Sequence, residues 1–106
     1  MTINVEMCVK IAENQLFKML DVALSVAENA EGKKSRWDLN ESVKTGVSAY
    51  RFHKRVAEAI GFDIPEYEER FDSITKKYPD LVKETIESES IDELKASIKR
   101  VYGVQL

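Results

Sequence analysis

Scarcity narrows this chain first. One cysteine, Cys8, stands among 106 residues, so no internal disulfide can form and a reducing compartment is the natural setting. That cysteine and a single histidine, His53, are too few for the usual zinc constellations. Glycine and proline together fill only six positions, far below what the turns of an all-β sandwich need. The glycines are dispersed, so no phosphate-cradling loop is present. No run approaches the roughly 20 apolar residues of a membrane span. Glu6, Lys10 and Glu13 interrupt any secretory apolar core near the N-terminus. These absences predict a cytoplasmic protein with no membrane partner, no metal and no cofactor.

What is present points to helices. Apolar residues make up 43% and charged residues 33% of the chain, enough for one folded domain over 1–106 with a single core. A first helix is expected from about Asn4 to Glu31, with Gly32 as its terminating residue. On a helical wheel, Val5, Cys8, Val9, Ala12, Leu16, Met19, Leu20, Ala23, Val26, Ala27 and Ala30 form one broad apolar face. Ile11 and Val22 widen it on one flank, Phe17 and Leu24 on the other. A stripe this wide should meet more than one neighbouring helix.

Four further helices are readable. Asp38 or Asn40 is placed to cap the second, which should run to Ile60 before Gly61. Asp63 and Glu66 have capping-box spacing for a third, with Pro65 in its first turn. Its buried side should be Tyr67, Phe71, Ile74 and Tyr78, and Pro79 should end it. "PDLVKETIE" reads as a short fourth. Ser90 and Glu93 cap a fifth that buries Ile91, Leu94, Ile98 and Val101 and ends at Gly103. No segment alternates with period two, so the fold class is all-α: a long N-terminal helical hairpin followed by three shorter helices.

Length adds an expectation. A 28-residue helix measures about 42 Å, whereas a compact domain of this size is roughly 33 Å across. The first helix therefore overhangs the domain, kinks, or packs along a second subunit. With the wide apolar stripe, this favours a homodimer.

Charge is unevenly spread. Residues 33–55 carry Lys33, Lys34, Arg36, Lys44, Arg51, Lys54 and Arg55 against Asp38 and Glu41, a balance of +5. Residues 56–106 carry twelve acids against seven bases, a balance of −5. The halves could attract each other, or the basic segment could contact nucleic acid. The wheel places Lys44, Arg51 and Arg55 on one stripe of the second helix, and His53 in an apolar arc with Ala49, Ala57 and Ile60. His53 is expected as a neutral ring in or beside the core, or at a subunit interface. Trp37 reads as a plug closing the bundle end or, if exposed, as an interface anchor.

Catalytic chemistry finds little footing. Cys8 lies on the apolar stripe, and no serine has a nucleophile-elbow context. Carboxylates three apart, such as Glu28 with Glu31 and Glu84 with Glu87, could hold magnesium for nucleotide hydrolysis. Nineteen acids on helices produce such spacings by chance. The expected function is therefore non-enzymatic: a protein–protein interaction or assembly module whose candidate surface is Lys33, Lys34, Arg36, Trp37, Lys44, Arg51 and Arg55, its protein partner not identifiable. The alternative is a nucleic-acid-associated protein using the same basic segment.

Overall fold

Ser35, rather than Asp38 or Asn40, starts the second long helix. Its side chain accepts the Asp38 backbone N–H at 3.1 Å in the computed structural model. The structure describes residues 5–32 and 35–102, and the side chains of 13–32 and 35–100. Because Ser35 is the cap, Arg36 and Trp37 belong to the first helical turn and Asp38 is an acid facing the positive helix end.

Among the described residues there are five α-helices and no strand: α1 Val5–Glu28, α2 Arg36–Ile60, α3 Pro65–Lys77, α4 Pro79–Glu87 and α5 Ile91–Tyr102. After α1 the chain tightens into a 3₁₀ turn over Asn29–Gly32. Gly32 is therefore not a left-handed terminator; i→i+3 bonds take up the last carbonyls instead. At the end of α2 the expected glycine cap does form. Gly61 has φ 92°, and the Phe62 and Gly61 amides donate to the Ala57 and Glu58 carbonyls at 2.9 and 3.2 Å, a Schellman closure.

The start of α3 departs from the expected capping box. Pro65 occupies the first helical position, so the cap falls on Ile64, which makes no side-chain bond. Asp63 is thereby one residue too early to cap. Tyr78 ends α3 and begins α4 in a single step, with Pro79 where a missing N–H costs nothing. For α5, Ser90 accepts the Glu93 amide at 3.4 Å. Ile98 is fully buried and Leu94 packs against the core, but Ile91 is exposed in the first turn at the α4–α5 corner. Val101 and Gly103 lie outside the described side chains.

The helices run up and down. Gly46 of α2 lies against the α1 backbone: a β-carbon at residue 46 would sit 2.7 Å from the Ala23 carbonyl oxygen and 2.7 Å from the Ala27 nitrogen. A glycine inside a helix costs about 1 kcal/mol relative to alanine; here it permits the close approach of the hairpin. Phe17 stacks on Tyr67 at 6.0 Å, and Lys77 pairs with Glu31, so α3 runs parallel to α1. Lys44 meets Glu84 and Arg51 meets Glu89, so α4 runs parallel to α2. The core is Leu16, Leu20 and Leu24 from α1, Val43, Val47, Tyr50 and Val56 from α2, closed by Ile64, Ile74, Val82 and Ile98. Each of these large side chains contributes on the order of 1.5–3 kcal/mol of burial.

The molecule measures 53 × 27 × 22 Å with a radius of gyration of 15.1 Å, above the roughly 13 Å of a compact chain this long. The long hairpin is accommodated by an elongated shape, so helix length by itself does not require a second subunit. No helix among the described residues is long and apolar enough to cross a membrane.

Candidate interaction surface

The basic stripe of α2 is partly neutralised within the chain. Lys44 donates to Glu84 at 2.8 Å, and this bond raises the lysine's pKa. Arg51 makes two bonds to Glu89, at 2.5 and 3.0 Å, in a half-buried setting. Lys54, on the adjoining side of the helix, lies 3.9 Å from Glu58 and 3.7 Å from Glu68. The basic segment and the acidic half thus attract each other inside one molecule. Arg55 is half-buried and forms no ion pair among the described residues. It lines a polar recess of about 230 Å³ with Arg51, Lys54 and Glu58. Arg36 and Trp37 are exposed on the first turn of α2. Lys33 and Lys34 lie outside the described residues. The predicted surface therefore divides: Lys44 is engaged by Glu84 of α4 and Arg51 by Glu89 just after it, while Arg36 and Trp37 face solvent.

Trp37 is no plug. It is 70% exposed, the most exposed large apolar side chain among those described. Starting α2 at Ser35 is the reason, because Trp37 then emerges from the helix on the same side as Lys44 and Arg55 rather than turning back over the bundle end.

His53 is buried, with 7% exposure, and burial lowers its pKa from 6.5, favouring the neutral ring. The ring stands edge-on to Phe52 at 5.0 Å. Carboxylates that could have shared a metal are directed to bases instead: Glu28 to Arg70, Glu31 to Lys77, Glu84 to Lys44 and Glu87 to Lys83. Among the described residues no group of three potential ligands converges on a metal position. Cys8 is outside the described side chains.

Two features escape a reading of the stripe alone. Arg70 of α3 donates to Asp21 at 2.7 Å, to Glu28 at 2.5 and 3.2 Å and to Ser25 at 3.3 Å, gripping three successive turns of α1. The spacing of Asp21, Ser25 and Glu28 was a signal for such a clamp, although nothing in it singles out Arg70. The second feature is the opposite flank of α1. Val22 is 46% and Val26 38% exposed, and Val26 faces Asp38, Glu41, Ser42 and Thr45 of α2 across a shallow depression of about 420 Å³. A second depression of about 350 Å³ runs along Val22, Ser25 and Val26. The width of the α1 stripe was the signal here, since Val22 widens a face that one neighbouring helix cannot cover.

No family model matches the chain, and no curated protein or solved structure matches it.

Proposed function

We propose that this protein is an interaction or assembly module that works by binding another polypeptide rather than by catalysis. The observation that supports this most is the uncovered apolar surface of the hairpin: Val22 and Val26 on α1, with Trp37 on the first turn of α2. Tryptophan is the residue most enriched where binding energy concentrates. An exposed tryptophan and two uncovered valines on one hairpin are costly to leave in water unless they serve contact. A homodimer is one form of this reading, and helix length no longer argues for it. The nucleic-acid alternative retains only Arg36, Arg55 and Trp37 among the described candidates, because Lys44 and Arg51 are engaged by Glu84 and Glu89.

Light scattering and affinity purification test the reading together. Self-association predicts a mass near twice 12.1 kDa at micromolar concentration, returning to the single-chain mass in Val22→Glu/Val26→Glu. For a different partner, wild type purified from its own cells should retain a protein that Trp37→Ala and the double valine variant lose. If wild type is monomeric and recovers the same proteins as both variants, the surface is not an interaction site.

A further inference from the structure

We infer that the depression between α1 and the start of α2 receives a cationic amphipathic helix from another protein. The inference rests on the interaction-module reading and gives its partner a chemistry. Two depressions meet at Val26: one runs along Asp21, Val22, Ser25 and Asn29 of the α1 hairpin arm, and the other sets Val26 against the small neutral residues Ser42 and Thr45 of α2, so a helix can lie close there. The α2 wall carries Asp38 and Glu41, both exposed and neither in an ion pair among the described residues. Lys44, one turn beyond Glu41, is hydrogen-bonded to Glu84 and also feels the Glu41 charge at longer range. Neither depression has a base among its lining residues, while Asp21 and Ser25 on the Val22 side are bonded to Arg70, so the free acids are on the α2 wall.

Asp38 and Glu41 are one helical turn apart, so they match two bases spaced three or four residues apart on an incoming helix. Val22 and Val26 match an apolar row at i, i+3, i+4 and i+7, the usual anchor pattern for a helix in a groove. Trp37 precedes Glu41 by one turn on the same side of α2, where it can close over the end of the incoming helix. A second copy of this chain fits less well, because a twofold axis near Val26 would set the same acids opposite one another.

The probe is a synthetic leucine–lysine peptide of about 18 residues, five helical turns, with leucines at i, i+3, i+4 and i+7. Controls are a scrambled peptide of equal composition and a leucine–glutamate counterpart. Trp37, the only tryptophan, reports binding by a blue shift of its emission, and calorimetry gives stoichiometry. One-to-one binding is expected for the patterned cationic peptide alone. Val22→Ser/Val26→Ser should weaken it by about tenfold or more. Asp38→Asn/Glu41→Gln should weaken it about fivefold and flatten its salt dependence. Circular dichroism confirms that both variants stay folded.

Equal binding of the scrambled peptide, or wild-type affinity in both variants, overturns the inference. A doubled mass for the wild-type chain that Val22→Ser/Val26→Ser abolishes, with no patterned peptide bound, gives the face to a second copy. That result leaves the module reading standing and removes the cationic helix. Failure of the peptide together with unchanged mass and unchanged cellular partners removes both.

Discussion

The two flanks of α1 are similarly apolar in sequence and end differently. On one, Leu24 is buried and Phe17 packs between Phe62 and Tyr67, at 5.9 and 6.0 Å. On the other, Val22 and Val26 remain open. Hydrophobicity does not separate them. What separates them is α3, because Arg70 engages Asp21, Ser25 and Glu28 between the two flanks while Tyr67 of the same helix covers Phe17. Exposed ion pairs contribute little stability singly, but a three-turn clamp decides which of two apolar faces a helix covers. The other flank is then left uncovered.

The sharpest break of this comparison is made two residues apart on one helix. Leu20 is 0% exposed, and Leu20→Ala should destabilise the protein by about 3–4 kcal/mol, the transfer loss plus an unfilled cavity. Val22→Ala should stay within about 0.5 kcal/mol in the isolated chain. Urea titration separates them. Equal losses would mean that Val22 is covered in solution. Next in size is Gly46→Ala, in which the new methyl meets the Ala23 and Ala27 backbone at 2.7 Å. Overpacking of about 3 kcal/mol outweighs the gain in helix propensity of about 1 kcal/mol. The midpoint of thermal unfolding should fall by roughly 10 °C. An unchanged midpoint would mean that the hairpin separates easily and that its depression is adjustable.

The helices were legible in the sequence because their signals are local. Leu16, Leu20, Ala23, Ala27 and Ala30 of the α1 face are buried as the wheel places them, and Gly61 after Ile60, Pro79 after Tyr78 and the "PDLVKETIE" stretch map onto observed elements, whereas Val26 of that face is exposed. Errors fell where two local signals competed. Ser35 and Asp38 both suit a cap, and the choice moved Trp37 from connector to helix. Pro65 displaced the Asp63 box. The surface was less legible, because which bases stay exposed depends on pairs about 40 residues apart, such as Lys44 with Glu84. The attraction between basic and acidic segments could be anticipated from composition. Its cost to the candidate surface, residue by residue, could not.

A smaller effect probes the buried side of α2 near the same hairpin. Burial lowers the pKa of His53 below 6.5, while the unfolded chain keeps the ordinary value. As pH falls through about 6.5 the unfolded state binds the proton first, so stability present above that pH is lost as pH drops toward the folded pKa. The slope should reach at most about 1.4 kcal/mol per pH unit. His53 is the only histidine, so His53→Gln should flatten the stability profile as pH falls below about 6.5. An undiminished slope in that variant would assign the titration to another group.

The smallest expected change has the opposite sign. Tyr50 is fully buried, its ring stacked on Phe71 at 4.8 Å, and its hydroxyl has no hydrogen-bond partner among the described residues. Burial, with Glu68, Asp72 and Glu58 nearby, pushes its pKa up to about 12, so the hydroxyl stays protonated at neutral pH. A buried hydroxyl left unbonded costs about 1–3 kcal/mol. Tyr50→Phe removes that cost, keeps the stack and leaves only a small void, so the variant should gain about 0.5–1 kcal/mol in urea titration. Position 50 lies on the covered side of α2, so peptide binding at Val22 and Val26 should be unchanged. A loss of stability would mean that a water reaches the hydroxyl and that this side of the bundle is less tightly closed than the clamp implies.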